Sequence, residues 1–278
     1  MLATMRAAAM KNNSNKGLLI FLVVFLSIIV LALSALMVLG ISGKGGMFGW
    51  HFGSSNISSN LVAEETINAE SIEEIKIRIK AGKLKITSEE AGEDAKIVAK
   101  IYAKEKDWVS FENSDNSIDI EDRSEDCHFF CINWDGVNIE LSVPKDYAGD
   151  FDINTSYGDV EIGDFELATM KLDSSAGDIE LGSAKNVSAE LSAGNFELGN
   201  CYGRVRIDNS MGNVEIDHLD ITEDSTIELS MGNVEIRNIG DVRVDASTDM
   251  GNSSVNGGNP KADVTLKIEN SMGNITVR

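Results

Sequence analysis

The stretch that decides the fold is residues 209–217, NSMGNVEID, because versions of it recur along the C-terminal half of the chain. The other copies are residues 155–163 (TSYGDVEIG), 174–182 (SSAGDIELG), 191–199 (LSAGNFELG), 229–237 (LSMGNVEIR), 270–278 (NSMGNITVR) and a degraded copy at 248–256. Their central glycines are 17 to 22 residues apart. A repeat of this length is typical of a solenoid, in which each unit packs only against its neighbours.

Each repeat carries two alternating runs, one on either side of the central glycine. Asp or Asn follows the glycine, and then comes a triplet such as Val214, Glu215 and Ile216, which predicts a strand with one buried face. A second alternating run precedes the glycine, as in residues 205–208. The predicted fold is therefore all-β: a β-solenoid (β-helix) with about two short strands per turn of about 19 residues, preceded by one transmembrane helix.

The central glycines are predicted to form the corners between the two strands, since glycine readily adopts the positive φ that a sharp corner needs. They are Gly158, Gly177, Gly194, Gly212, Gly232, Gly251 and Gly273. No lysine or helix start follows any of them, so a phosphate-binding loop is not supported. Methionine precedes four of these glycines, and we expect it to pack inside the corner, where its flexible side chain fills irregular space.

Stacked turns place equivalent residues in columns, and one of these columns is acidic. It contains Glu161, Glu180, Glu197, Glu215 and Glu235, which are predicted to face solvent about one strand spacing apart. Like charges at that spacing repel, so one interpretation is a solvated face that keeps the sheet soluble. The other is a weak site for divalent cations or a basic polymer, to which Asp159 and Asp178 would contribute. The repeat lacks the glycine–aspartate nonapeptide of calcium-loaded β-rolls, and no cofactor is predicted.

The N-terminal sequence predicts a membrane anchor. Residues 18–39 are almost wholly apolar, and 22 residues at about 1.5 Å each span about 33 Å, the thickness of a bilayer core. Basic residues at 6, 11 and 16 precede the segment, and no acidic residue occurs before Glu64, so the N-terminus is predicted to be cytoplasmic. A cleaved secretory signal is the alternative. The predicted localisation is the cell membrane, single-pass, with the C-terminal part extracytoplasmic.

These patterns divide the chain into five predicted segments. They are a cytoplasmic N-terminus at 1–17, a transmembrane helix at 18–41, a flexible tether at 42–70, an irregular β cap with opening turns at 71–146, and regular repeats at 147–278. The last repeat has no cap after it in the sequence, which predicts either an end-to-end partner or an edge protected only by charge. The oligomeric state stays open.

The charge balance limits the partners of the external part. Three of the 24 basic residues precede residue 44, which leaves 21 against all 45 acidic residues beyond it. Nucleic acid and anionic lipid headgroups are therefore poor partners. A basic cell-wall component, a cationic peptide or another protein ligand remains open.

Cysteine and histidine give little support for a metal site or for catalysis. Cys127 and Cys131 flank His128, so a short-loop disulfide is one interpretation, whereas a metal site there has three local ligands at most. The other histidines, His51 and His218, have no nucleophile arrangement around them. We predict no catalytic residues and no enzyme, and keep a polysaccharide-active β-helix enzyme as the remote alternative because the chain is rich in carboxylates.

The chain resembles the bacterial putative-adhesin family of β-strand-repeat proteins. The resemblance rests on the repeated five-residue pattern, which is Gly, then Asp or Asn, then an aliphatic, an acidic and a second aliphatic residue, and on the strand that ends in Val143 and Pro144. The resemblance covers residues 70–278. This family of unknown function includes a membrane-anchored protein encoded with the Lia cell-envelope stress system. The resemblance implies a surface β-solenoid behind one transmembrane helix, acting as a scaffold or adhesin-like binding module, or as an accessory of an envelope-stress response. It implies no catalytic residues.

Overall fold

The computed structural model of the protein describes residues 60–90, 95–124 and 136–278. No helix in these ranges is long and apolar enough to cross a bilayer. The predicted transmembrane helix at 18–41 lies outside the described residues, as do most of the tether and the pair Cys127 and Cys131. The two short helices of the described ranges are 3-10 helices, Ala69–Ser71 and Lys106–Trp108.

Strands make up most of the described chain. Their bounds are β1 Leu61–Asn68, β2 Glu74–Ala81, β3 Leu84–Glu89, β4 Lys96–Tyr102, β5 Val109–Asn113, β6 Ser117–Asp122, β7 Asn138–Pro144, β8 Asp150–Tyr157, β9 Val160–Ala176, β10 Ile179–Leu191, β11 Phe196–Cys201, β12 Val205–Met211, β13 Val214–Leu219, β14 Ser225–Met231, β15 Val234–Ile239, β16 Arg243–Met250, β17 Ser253–Val255, β18 Thr265–Met272 and β19 Ile275–Val277. The predicted all-β solenoid is confirmed; from β11 onward each turn has two short strands, whereas β9 and β10 each run continuously through a whole turn.

The strands stack in two rows, one for each side of the turn. Row A is the order β1, β4, β7, β3, β9, β10, β11, β13, β15, β19 and β17. Row B is the order β5, β6, β2, β8, β9, β10, β12, β14, β18 and β16. The long strands β9 and β10 begin in row A and end in row B. Neighbours are parallel except where β1, β4 or β5 takes part.

The core lies between the two rows and follows the alternation in the sequence. In β13, Val214 and Ile216 are buried, while Glu215 between them reaches the surface. Three phenylalanines, Phe151, Phe165 and Phe196, fill the middle of the stack and are almost completely buried. Burying a side chain of this kind contributes about 1.5–3 kcal/mol, and each turn gains it only because a neighbouring turn covers it.

The turns do not stack in chain order at either end. The last repeat, β18 with β19, lies between β14 with β15 and the degraded repeat, β16 with β17. At the other end, β2 with β3 lies between β6 with β7 and β8 with β9. The expectation that residues 270–278 form the end of the stack is therefore wrong.

Burial explains this order. The last repeat keeps the inward aliphatic residues Ile268, Ile275 and Val277, all fully buried. The degraded repeat has Ala246 and Thr248 at inward positions, half-buried, and its Val255 is 40% exposed. Placing the complete turn inside and the depleted turn at the end buries more apolar area.

Residues 61–71, placed mostly in the predicted tether, are ordered in the structure. They form β1 and the first 3-10 helix, and β1 pairs antiparallel with β4, which in turn pairs antiparallel with β7. On row B, β5 is antiparallel to β6. These reversed strands cover the end of the stack opposite to β16.

Candidate functional site

The predicted corner glycines have positive φ, and each lies against the glycine of the next turn. Gly212, for example, has φ 139°, and its N–H donates to the carbonyl of Met231 over 3.0 Å. A Cβ on Gly212 would lie 2.5 Å from the carbonyl carbon of Gly194 and closer still to its oxygen. Gly82, which we did not include among the corners, has φ 140° and the same role between β2 and β3. The corners therefore form a column of closely packed backbone.

The Asp or Asn after each glycine forms a hydrogen-bonded ladder along the stack. The backbone N–H of Asn213 donates to Oδ1 of Asn195, and that of Asn233 donates to Oδ1 of Asn213, each over 3.0 Å. At the start of the ladder, the N–H of Asn195 donates to Oδ1 of Asp178 over 2.8 Å, and the N–H of Asp178 donates to Asp159 over 3.2 Å. Asp159 and Asp178, considered above as cation ligands, thus hold neighbouring turns together.

The acidic column of row A is in register from Glu161 through Glu180, Glu197 and Glu215 to Glu235. Its two ends carry basic partners. Glu161 accepts a hydrogen bond from Lys85, which lowers the pKa of the Glu161 carboxyl and raises that of the Lys85 ammonium.

At the other end of the column, Arg237 bonds to Glu215 over 2.7 Å and also pairs with Asp217. Arg278 lies 3.5 Å from Glu235. Within the described ranges, Glu180 and Glu197 make no ion pair. These two glutamates in the middle of the column therefore lack a direct ion-pair partner, although Lys85 attracts Glu180 at longer range.

Beside these two glutamates, the outer surface is formed by the backbone of glycine residues, which have no side chains. We call this surface the glycine floor. Gly163, Gly182 and Gly199 follow one another there, and a Cβ on Gly182 would lie 3.0 Å from the carbonyl oxygen of Gly163. The result is a groove of about 440 Å³. Its lining residues include the glutamates at 161, 180, 197 and 215, with Thr87 and Ser88 at one end and Asp217 and Arg237 at the other.

The groove is a feature that the sequence interpretation missed, although its signal is present. Three consecutive copies of the repeat end in glycine (TSYGDVEIG, SSAGDIELG and LSAGNFELG), whereas later copies end in Asp217, Arg237, Asn256 or Arg278. A glycine at an outward position of a strand marks a place where another backbone or a ligand can approach closely. The carboxylates of the glutamates beside the glycine floor can accept hydrogen bonds from ammonium, amide or hydroxyl groups of a ligand.

A second acidic column, also missed, lies on the outer face of row B. It is made of Asp173, Glu190, Asp208, Glu228 and Glu269, which are in register. Its signal is an outward acidic residue four positions before the central glycine in each of these repeats. Lys267 pairs with Glu269 over 2.9 Å. Both broad faces of the solenoid are therefore acidic.

The methionines before the glycines are not packed inside the corners, and that expectation is wrong. Met211, Met231, Met272 and Met250 are 54%, 45%, 42% and 59% exposed and lie in register in this order. The close approach of the corner backbones leaves no interior space for a side chain.

Histidine and cysteine form no chemical cluster in the described ranges. His218 lies on β13 in register with Asn200 and Asn238, while the other two histidines lie outside the described residues. Cys201 is buried; its Sγ donates to the carbonyl of Lys185 over 3.3 Å, and burial raises the pKa of the thiol. In the described part of the chain, no three His, Cys, Asp or Glu side chains are placed to hold a metal ion.

Closely packed glycine corners, a ladder of Asp and Asn side chains and two acidic faces define the class of this fold, a parallel β-solenoid. Residues 72–278 match the Toastrack DUF4097 family, and the chain belongs to this family. The match covers the part of the chain for which a resemblance to a β-strand-repeat family was predicted.

Two solved structures are similar to this chain. One is a putative cell adhesion protein from Clostridium sporogenes, 15% identical with a TM-score of 0.37, which covers 77% of this chain and 98% of that chain. The other is a putative adhesin from Bacteroides fragilis, 16% identical with a TM-score of 0.40, covering 80% of this chain and 98% of that chain. Among curated proteins there is no match.

Proposed function

We propose that this protein is a non-catalytic, adhesin-like binding module that a single transmembrane helix anchors to the cell membrane, with its solenoid outside the cell. The observation that carries the proposal is the groove on row A, where unpaired Glu180 and Glu197 stand over the glycine floor. The apolar segment at 18–41 and the basic residues before it support the anchor and its orientation.

The ligand that best fits this groove is a linear polymer with positive charges, such as a basic cell-wall component. Equivalent side chains repeat along the groove at about 4.8 Å, the spacing of neighbouring strands. A repeating surface can bind successive units of a repeating ligand, and weak contacts then add up along its length. Unpaired carboxylates favour cationic groups, whereas anionic polymers are repelled.

The electrostatics of Glu161 do not suit it to act as a catalytic acid. Hydrolysis of a glycosidic bond needs one carboxyl group with a raised pKa as general acid, next to a second, ionised one. The carboxyl group of Glu161 has a lowered pKa because Lys85 donates to it, which is the opposite of what a general acid requires. The polysaccharide-active enzyme therefore has no candidate acid at this position.

Attachment of cells to a surface tests this proposal. Deletion of the protein is expected to reduce attachment, and complementation with the wild-type chain to restore it. The variant Glu180→Gln with Glu197→Gln keeps shape and removes the two unpaired charges, so it should restore attachment only in part. Glu190→Gln with Glu228→Gln, on row B, is the matched control and should restore it fully.

The second candidate is an accessory of a cell-envelope stress response, and the resemblance to the Lia-associated type supports it. In that case deletion would leave attachment unchanged and would alter induction of the stress response by antibiotics that act on the envelope. Unchanged attachment together with altered induction would therefore contradict the adhesin-like function and support the regulatory one.

A further inference from the structure

The stack ends at β16 and β17, whose outer edges have no partner strand in the described ranges. β16 pairs only with β18, and β17 only with β19. The inward side chains of β16 are Val244, Ala246 and Thr248, all half-buried, and Val255 of β17 is 40% exposed. The apolar interior of the solenoid thus reaches the surface beside two strand edges that can accept another strand.

The hydrogen bonds of β16 show which of its backbone groups are free. The N–H of Arg243 donates to the carbonyl of Val264 over 2.9 Å, so Arg243 points its backbone groups toward β18. Backbone direction alternates along a strand. The N–H and C=O groups of Val244, Ala246 and Thr248 therefore point away from the stack. These three alternate residues can form hydrogen bonds with an added antiparallel strand.

The charges on β16 select one way of pairing this strand with a second copy of itself. Antiparallel pairing about a two-fold axis at Ala246 places Arg243 opposite Asp249 of the second copy, and Asp245 opposite Ser247. Inward residues then meet inward residues: Val244 meets Thr248, and Ala246 meets its own copy. Hydrogen-bonded pairs form at the three positions whose backbone groups are free.

Other registers of the same pairing oppose like charges or need backbone groups that are already engaged. An axis at Val244 needs the outward carbonyl of Val242, which accepts the N–H of Asn259 over 2.7 Å. An axis at Thr248 needs Met250, whose carbonyl accepts the N–H of Gly273 over 2.9 Å. A two-fold axis at Asp245 places this residue opposite its own copy, and an axis at Ser247 places Asp245 opposite Asp249. Like charges directly opposite each other destabilise a strand pair. A register that differs by one residue brings inward residues against outward ones, which the pleat forbids.

The two residues that would form the ion pair, Arg243 and Asp249, are both exposed to solvent. Within the described ranges neither Arg243 nor Asp249 makes an ion pair. Nη2 of Arg243 donates to Oγ1 of Thr265 over 2.6 Å, which holds the guanidinium on the outer face of row B. The group has five N–H donors, so others remain for a carboxylate.

We propose that this protein pairs end to end with a second copy of itself through β16, antiparallel, with the two-fold axis at Ala246. The pair covers the open end of both solenoids and forms the Arg243–Asp249 contact twice. Because the interface is closed by the two-fold axis, it gives a dimer and not a fibre.

Pairing at this end has a consequence for adhesion, and this step alone depends on the proposed function. The capping strands β1 and β5 lie at the end of the stack opposite to β16. In the dimer the two copies of β1 therefore lie at opposite ends of the paired stack. Chains anchored through their N-termini would join two facing surfaces, and the ligand of the adhesin would be another copy of the same protein.

Charge reversal tests the pairing in the full-length protein, purified in a mild detergent and measured by sedimentation velocity. Arg243→Asp places Asp opposite Asp249 twice, and Asp249→Arg places Arg opposite Arg243 twice. Each variant alone should be monomeric at concentrations where the wild type is dimeric. An equal mixture of the two variants should form a heterodimer, because every opposed pair is then of opposite sign. Arg206→Asp, the same change on row B several turns away, is the control and should remain dimeric.

A backbone variant tests the strand pairing independently of charge. Ala246→Pro removes an N–H that faces the partner and not β18, so dimerisation should be lost while the melting temperature stays near that of the wild type. Ser247→Pro removes an N–H that faces β18 and should lower the melting temperature.

Three results would overturn the pairing: a wild type that is monomeric at the highest soluble concentration, charge variants that dimerise like the wild type, or a mixture of folded variants that stays monomeric. Beads coated through the N-terminus test the bridging of surfaces. Wild-type beads should aggregate, Arg243→Asp beads should not, and Arg243→Asp beads mixed with Asp249→Arg beads should. Dimers in solution without bead aggregation would support the pairing and contradict its role in joining surfaces.

Discussion

Replacing Gly212 by alanine should strongly destabilise the solenoid. The residue has φ 139°, and a Cβ there would lie 2.5 Å from the carbonyl carbon of Gly194. Carbon atoms in contact are about 3.5–4.0 Å apart, so the two turns must separate by about 1 Å at this corner. An alanine at positive φ costs about 1–2 kcal/mol.

Separation also weakens the hydrogen bonds that hold this corner to its neighbours. Between the turns of Gly194 and Gly212 these are the bond from the N–H of Gly194 to the carbonyl of Met211, 2.8 Å, and the bond from Nδ2 of Asn209 to the carbonyl of Gly194, 3.0 Å. At about 1 kcal/mol each, the two bonds and the backbone strain together give a loss of about 3–4 kcal/mol. With a urea m-value of about 2 kcal/mol/M, the unfolding midpoint should fall by about 1.5–2 M.

Urea unfolding followed by circular dichroism measures this effect, and Ser210→Ala is the matched control. Ser210 is exposed on the same turn, two residues from Gly212, so its replacement should change stability by no more than about 0.5 kcal/mol. A Gly212→Ala midpoint within the same range as the control would refute the close packing of the corner column.

Three further predictions address the ladder, the acidic column and the core. Asn213→Ala removes the acceptor for the N–H of Asn233 and should cost about 1 kcal/mol by urea unfolding, whereas Asn213→Asp keeps Oδ1 and should cost less. The Glu161 carboxyl should titrate below the usual glutamate range in carbon-detected NMR, and the substitution Lys85→Met should raise the pKa of Glu161. Because folding lowers this pKa, the Lys85–Glu161 pair stabilises the fold near neutral pH. The contribution of the pair disappears as the pH falls through the lowered pKa. In a variant whose other two cysteines are serine, Cys201 should resist alkylation in the folded state and react after unfolding, since it is buried and the pKa of its thiol is raised.

The repeat unit could be predicted from the sequence because three patterns agree: the alternation of residues, the position of glycine and the spacing of the repeats. The alternation in Val214, Glu215 and Ile216 gives the strand, Gly212 gives the corner, and the spacing gives the turn. The same spacing places the glutamates in one column, and the structure shows them in register. These features are local, so a single repeat contains the information for them.

The order of the turns could not be predicted, because it depends on a comparison between repeats. Residues 248–256 and 270–278 both follow the β14–β15 turn in the chain, and either could pack on it. The structure places the turn with more inward aliphatic residues inside, and the depleted one at the end. That choice depends on the total apolar area buried, which no single repeat reveals.

The groove and the exposed methionines were missed for a related reason. Gly182 was interpreted only as the end of a repeat, although three such glycines in adjacent turns open the surface beside Glu180. Met231 was expected inside the corner, but the interior there is filled by backbone. Both features depend on the distance between neighbouring turns at one corner, which the alternation of residues does not specify.

The central claim is that the turns form one stack, in which residues 270–278 lie between the turns of residues 229–237 and 248–256. Pairs of cysteines test it, introduced into a variant that lacks the native cysteines. The residues on either side of Ser271 are in register with those on either side of Ser230 in β14 and of Asp249 in β16, so Ser271 should lie opposite both. Adjacent strands are about 4.8 Å apart, which a disulfide can span, whereas strands two positions apart are about 9.6 Å apart, which it cannot.

Disulfide formation in the folded protein, measured by mass spectrometry after mild oxidation, distinguishes the possible orders. The structure predicts a disulfide in Ser230→Cys with Ser271→Cys and in Ser271→Cys with Asp249→Cys, and none in Ser230→Cys with Asp249→Cys. A disulfide between positions 230 and 249, without one between 230 and 271, would mean that the turns stack in chain order and would contradict the account.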